Sequence, residues 1–180
     1  MRTSAHFFES STIMSQIGKI ACHKDGSFEG TLHRVFEGKT REAVWKMLVE
    51  PAGIAQWLAP GTIDAKKGGR ANISFEDSGI KIDSEVVEYE ANQKLAYSWS
   101  SGTEPIRLLQ WALSDDASGT ALTLTVGTPA GEDAAKACAG FEAHLEMLAA
   151  ALEGIPVKFP FNLYKDARAA YSEQIAACKA

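Results

Sequence analysis

From Ser27 onward, apolar and polar residues follow a period that changes along the chain. Phe28, Gly30, Leu32, Arg34 and Phe36 alternate with Glu29, Thr31, His33 and Val35, the two-residue repeat of a strand with one buried face. Gly38 ends it. Thr40 is a good N-cap, and Ala43, Val44, Met47 and Leu48 then recur at helical spacing. That helix must stop before Pro51, which suits the first turn of a second helix carrying Ile54, Trp57 and Leu58. Pro60-Gly61 closes the pair. Six strand-like stretches follow: residues 62–65, the run Ala71, Ile73 and Phe75, residues 80–89, the run Leu95, Tyr97 and Trp99, and residues 106–113 and 121–126. Lys67-Gly68-Gly69, Asp77-Ser78-Gly79, Ala91-Asn92, Ser101-Gly102 and Ser118-Gly119 mark the links. Strands at this spacing with tight turns predict an antiparallel meander.

After Pro129 and Gly131 the helical period returns and holds. Ala134, Ala137, Cys138, Phe141, His144, Leu145, Leu148 and Leu152 form one stripe, which predicts a single long helix. Gly154 is its expected cap and Pro156 its stop. Residues 1–26 show no sustained period and end at Asp25-Gly26, so they read as a leader, flexible or packed at an edge. Met14 within it offers a second start. Residues 155–180 carry Phe159, Phe161, Leu163, Tyr164 and Tyr171 and are too apolar for a linker. The expected division is a leader at 1–26, a domain at 27–154 and an apolar extension at 155–180 that packs on the domain or on a second subunit.

Composition narrows the class without naming a chemistry. A chain of 180 residues with 46% hydrophobic and 23% charged residues can build one ordinary core, which excludes disordered, collagen-like and coiled-coil chains. No apolar run is long enough to span a membrane. The net charge of −5, without a Lys/Arg cluster, speaks against nucleic acid and anionic membranes as partners. Cys22, Cys138 and Cys178 are odd in number, widely spaced and lack a CxxC pair. They read as three free thiols in a reducing compartment rather than as a disulfide framework or a zinc site. The N-terminus lacks the apolar core of a secretory signal, so a cytoplasmic location is expected.

The element order, one strand, two short helices, six strands and a long helix, is that of the helix-grip fold. Leu32-His33-Arg34-Val35-Phe36 is followed by Val44-Trp45, Glu50-Pro51, Trp57, Pro60, Gly68-Gly69 and Glu88. Leu95-Ala96-Tyr97-Ser98-Trp99, Thr120-Ala121-Leu122-Thr123-Leu124 and Gly140-Phe141 complete the series. Over roughly residues 28–153 the chain thereby resembles the family of activator of heat-shock protein 90 ATPase homologues, a branch of the START-related SRPBCC superfamily. The resemblance implies an α+β fold, a curved antiparallel sheet wrapped around the long C-terminal helix, with a cavity between them. It also implies binding of small apolar molecules in many relatives, cyclase-type chemistry in some and chaperone stimulation in a few. Family members usually carry Gly-Trp where this chain has Gly140-Phe141, which implies extra space beneath the helix.

Periodicity suggests which side chains face that space. Phe141, His144, Leu145 and Leu148 share the inward stripe of the long helix, and Phe75, Tyr97 and Trp99 lie on apolar strand faces. Trp57 is expected at the mouth. The leucines are as readily explained by plain core, and aromatic residues serve both roles. His144 is the sharpest polar candidate, because a neutral imidazole both donates and accepts hydrogen bonds. Its commoner use is as a satisfied core or rim histidine. Arg34 shares strand parity with Phe28, Leu32 and Phe36 and so needs a carboxylate, for which Glu88 is the expected partner, or an anionic ligand.

Catalytic motifs are absent: the sequence has no GxSxG, HExxH, P-loop or GxGxxG. No cofactor or metal is expected. Asp115-Asp116 and Glu132-Asp133 fall at a turn and a helix start, where carboxylates form turns and complement the helix dipole. Three functions stay open. The first is binding of a small apolar or amphipathic ligand. The second is cyclase- or hydrolase-type catalysis in the same cavity by His144 with Arg34 or Tyr97. The third is co-chaperone-like stimulation through a chaperone contact, and a homodimer through the extension is also open.

Overall fold

In a computed structural model, residues 17–179 are described. The elements are β1 (Lys19–Cys22), β2 (Phe28–Glu37), α1 (Arg41–Val49), α2 (Pro51–Trp57), β3 (Gly61–Ile63), β4 (Arg70–Ser74), β5 (Lys81–Glu90) and β6 (Lys94–Ser98). They continue with β7 (Leu108–Asp116), β8 (Gly119–Thr128), α3 (Ala134–Leu152) and α4 (Phe161–Lys179). The strands form one antiparallel sheet in the order β1-β2-β8-β7-β6-β5-β4-β3, curved around α3 in the helix-grip arrangement. A register shift between Val86 and Glu88 interrupts the β5–β6 ladder, a kind of irregularity that bends a strand and increases its twist.

Local chemistry explains the boundaries. Thr40 caps α1, its hydroxyl accepting from the Ala43 amide at 3.1 Å, and Pro51 occupies the first turn of α2. Asp133 caps α3 in the same way through Lys136 N. Strand β2 points Phe28, Leu32 and Phe36 into the core, as its alternation predicts. At Gly30 the helix comes so near that an added Cβ would stand 2.4 Å from Cys138 Sγ, so only glycine fits there.

Two elements lie outside the sequence expectation. Residues 19–22 add an edge strand, β1, to the sheet. The extension carries a 19-residue helix, α4, which packs on α3 and against β1 and buries Ala167, Ala170 and Tyr171. Their packing also overturns the reading of three free thiols. Cys22 and Cys178 form a disulfide with Cα atoms 6.1 Å apart, across 156 residues of sequence. Only the docking of the last helix turn on the first strand brings them together, and sequence spacing carries no trace of it. Cys138 is free and buried. Desolvation, then the charge of Glu142, pushes its thiol up to about 12. Among the described residues, no helix is long and apolar enough to cross a membrane.

Candidate functional site

Seven rings from six segments meet between the sheet and α3. Trp57 ends α2, Trp111 lies on β7, and Phe141 and His144 lie on α3. Phe75 and Trp99 stand one residue beyond β4 and β6, and Phe159 comes from the connector before α4. Ring centroids follow one another at 5.7 Å (Trp57–Trp111), 6.3 Å (Trp111–Phe141) and 5.3 Å (Phe141–Trp99). The series continues at 5.8 Å (Trp99–Phe75), 6.0 Å (Phe75–His144) and 5.5 Å (His144–Phe159). All six pairs are edge-to-face, the arrangement that aligns ring edges with ring faces. The series runs from inside to outside. Trp57 and Trp111 are buried, Phe75 and Trp99 are half-buried, and Phe159 is 40% exposed.

Backbone contacts fix the outer rings. The Phe75 amide donates to the Ile80 carbonyl at 2.8 Å within the β4–β5 turn. The Trp99 amide donates to the Arg107 carbonyl at 2.7 Å, and the Arg107 guanidinium returns a bond to the Trp99 carbonyl at 3.3 Å. Glu132 and Glu104 hold that guanidinium, at 2.6 Å and 3.1 Å.

His144 is the polar group within the rings. Its Nδ1 lies 3.0 Å from the Trp57 carbonyl oxygen. A carbonyl can only accept, so Nδ1 carries the hydrogen and the neutral ring keeps its lone pair on Nε2. Nε2 has no hydrogen-bond partner among the described residues. Burial lowers the His144 pKa below its ordinary value, against the opposing effect of the Trp57 bond. The result is a neutral imidazole of fixed tautomer, with its acceptor nitrogen available, between Phe75 and Phe159.

The other expected residues divide clearly. Phe75, Trp99, Phe141 and His144 come together as a group. Trp57 joins them but does not sit at a mouth. It is 1% exposed, and its indole donates to the Met47 carbonyl at 2.6 Å. Leu145 and Leu148 are fully buried core. Tyr97 is buried too, and desolvation raises its pKa, so the phenol stays neutral.

Arg34 turns inward as its parity requires, but its partner is not Glu88. It pairs with Glu142 on α3 and lies 3.7 Å from Glu146, while Glu88 faces Lys94 at 3.9 Å. The reason is topological: β8, β7 and β6 separate β2 from β5, whereas α3 packs directly on β2. Glu142 also accepts from the Gly18 amide at 3.1 Å and from the Tyr171 hydroxyl. Burial and that carboxylate raise the Tyr171 pKa. This polar seam ties β2, α3 and α4 together. Beside it, a groove of about 340 Å³ between β1 and α4 is lined by residues such as Lys19, Glu173 and Gln174.

Sequence reasoning missed Trp111, Phe159, Glu142 and Tyr171. Trp111 was available, since it alternates with Leu109 and Leu113 on the buried face of β7. Phe159 belongs to no periodic run, and its one signal is the apolar character of residues 155–180.

The sequence matches the family described as Activator of Hsp90 ATPase homolog 1-like protein over residues 39–153, from just before α1 to just past the end of α3. The chain belongs to that family. The match leaves out β1, β2 and α4, so the family pattern does not include the seam's Arg34 and Tyr171. Among solved structures, the conserved protein of unknown function EF2215 from Enterococcus faecalis is 14% identical with a TM-score of 0.76. The alignment covers 97% of this chain and 99% of that one. CalU16 from Micromonospora echinospora is 18% identical with a TM-score of 0.68, over 88% and 95%. At those identities the likeness is one of fold. DynU16, described as a putative protein in the dynemicin biosynthetic locus, is 27% identical with a TM-score of 0.62. There the alignment covers 73% of this chain and 49% of that one. No curated protein matches the sequence.

Proposed function

We propose that this member of the Activator of Hsp90 ATPase homolog 1-like family binds a small apolar or amphipathic molecule between the outer rings Phe75, Trp99 and Phe159. The observation that carries this is His144, a neutral imidazole with a free Nε2 set among apolar rings. Apolar walls with a few convergent polar groups are the usual form of a small-ligand site. The rings touch one another, so a ligand enters by displacing the outer ones, Phe159 first because it is the most exposed of them. The fold shared with CalU16 and DynU16, the latter from a biosynthetic locus, agrees with a small-molecule role.

Titration calorimetry with 2-naphthol tests the reading. Saturable one-to-one binding, weakened by His144→Gln, supports it. Absence of saturable binding by 2-naphthol and by straight-chain alcohols of similar size would refute it.

A second reading rests on the same nitrogen. An unprotonated Nε2 in an apolar site can accept a proton from a substrate, as a cyclase-type reaction requires. Arg34 does not assist it, being held by Glu142. Turnover abolished by His144→Gln, with binding retained, would distinguish catalysis from binding alone. Self-association through residues 155–180 has weaker support, since α4 packs its buried face on its own α3 and β1. The Cys22–Cys178 bond stands against a reducing cytoplasm, because such bonds persist in oxidising compartments.

A further inference from the structure

Among the described residues β1 stands at one end of the sheet order, and an edge strand offers its free amides and carbonyls to other chains. Here a side chain covers that edge. The Gln174 amide nitrogen donates to the Gly18 carbonyl at 2.9 Å, and its oxygen accepts from the Ile20 amide at 2.9 Å. A neighbouring strand would supply the same donor and acceptor. Beyond them the Lys179 ammonium stands 5.1 Å from the centre of the Phe28 ring, on the residue paired with Cys22. The end of α4 thus closes one edge of the sheet.

The two halves of α4 are held differently. Residues 161–171 bury Ala167, Ala170 and Tyr171, the Tyr171 hydroxyl donates to Glu142, and Arg168 pairs with Asp133 at 2.7 Å. Of residues 172–179 none is buried, and only Gln174 and Ile175 are half-buried. Segments with so few buried contacts open locally at little cost in free energy. The firmest tie on this half is covalent, the Cys22–Cys178 bond.

That bond lies within reach of a reductant. Cys178 is exposed and Cys22 half-buried, and thiol–disulfide exchange depends on such access. Cys138 does not compete for either sulfur. It is buried, and its thiol is held protonated by desolvation and by the charge of Glu142.

We propose that the Cys22–Cys178 bond is a redox latch that sets whether the last two turns of α4 cover the edge of β1. A thiolate of a dithiol reductant attacks Cys178 Sγ, the S–S bond breaks, and Cys22 leaves as a thiolate that takes up a proton. The second thiol of the reductant attacks the mixed disulfide, closes its own disulfide and releases Cys178 as a thiol. In all, two electrons and two protons pass from the dithiol to the protein. Residues 172–179 then leave β1, the Gly18 carbonyl and Ile20 amide turn to water, and the groove between α4 and β1 loses one wall. Ala167, Ala170 and Tyr171 stay docked. The latch stands apart from the binding reading and does not need it.

Amide hydrogen exchange on the full chain, oxidised and in dithiothreitol, tests the latch. Reduction should speed exchange at the Ile20 amide and at residues 174–179 by about tenfold or more. The Gly18 amide, held by Tyr171 and Glu142, should keep its rate, as should residues 167–171. Replacing dithiothreitol with oxidised glutathione should restore the first pattern. Cys178→Ser should match the reduced protein and ignore dithiothreitol, and the wild type alone carries the test if that variant fails to fold.

Unchanged exchange at Ile20 on reduction would overturn the latch. Equal loosening of Gly18 and residues 167–171 would overturn it too, since the bond would then hold the whole helix. So would alkylation of Cys22 and Cys178 in air-oxidised protein without reductant, because no bond would then have formed.

Discussion

Helix α3 presents two faces that use their polar groups differently. On the side toward β2 and α4, Glu142 is 2% exposed and accepts from Arg34, the Gly18 amide and the Tyr171 hydroxyl. On the side toward the aromatic rings, His144 Nε2 finds no partner among the described residues. Glu142 is buried and His144 half-buried. Glu142, both of whose oxygens accept, holds the fold together, while Arg34 Nε beside it is buried without a hydrogen-bond partner. Where a lone pair is left over amid apolar walls, something outside the chain can use it.

The contrast is broken most severely at the seam. Glu142→Ala leaves the Arg34 guanidinium buried without its main partner, a change that costs about 3–5 kcal/mol. Chemical denaturation should show a midpoint shifted by that amount. A change below about 1 kcal/mol would mean that the seam is solvated. Cys178→Ser comes next. It opens a link across 156 residues, and loss of a native disulfide typically costs about 2–4 kcal/mol. The variant should match the reduced wild type, while wild type measured with and without a thiol reductant should differ by the same amount.

The ring face should respond in the other way. Phe159→Ala removes a ring that is already 40% exposed, so stability should fall by about 1 kcal/mol or less. Binding of 2-naphthol should nevertheless change severalfold, because that ring covers His144 at 5.5 Å. Equal effects on stability and binding would erase the distinction between the two faces.

The smallest expected effect is with pH. His144 is held below its ordinary pKa of 6.5 mainly by burial. Below pH 6.5 the unfolded chain takes up a proton that the native ring declines, so stability is full above that pH and declines as pH falls below it. Comparing wild type with His144→Gln at pH 7 and pH 5 isolates this contribution. Wild type should lose more stability on acidification than the variant. Binding of a hydroxyl-bearing probe should stay level above pH 6.5.

Much of this contrast was visible in the sequence, and the rest depends on rotations and dockings that periodicity does not record. Alternation in residues 28–36 turned Arg34 inward correctly, since strand parity needs only the chain itself. Choosing between Glu88 and Glu142 required knowing which neighbour lies over β2. Glu142 stands beside the stripe of Phe141, Leu145 and Leu148, and only the helix that covers it makes it part of the core. That helix, α4, hides its face in Tyr164, Ala167, Ala170, Tyr171 and Ile175, where small alanines blunt the apolar signal. Cys22 and Cys178 could not be paired without that docking. On the ring side, Phe75, Trp99, Phe141 and His144 were legible from parity and stripe alone. Trp57 is buried rather than at a mouth, since a residue at the end of a short helix can face out or in and the Met47 hydrogen bond holds this one inward.

The most direct test is a titration of 2-naphthol into nitrogen-15-labelled protein, following the four indole N–H signals. Trp45 packs on Tyr89, outside the ring series, and serves as an internal reference. The predicted result is saturable movement of the signal of Trp99, the half-buried indole of the ring series, with Trp45 unmoved. No saturable shift, or shifts confined to residues along the α4–β1 groove, would contradict the account.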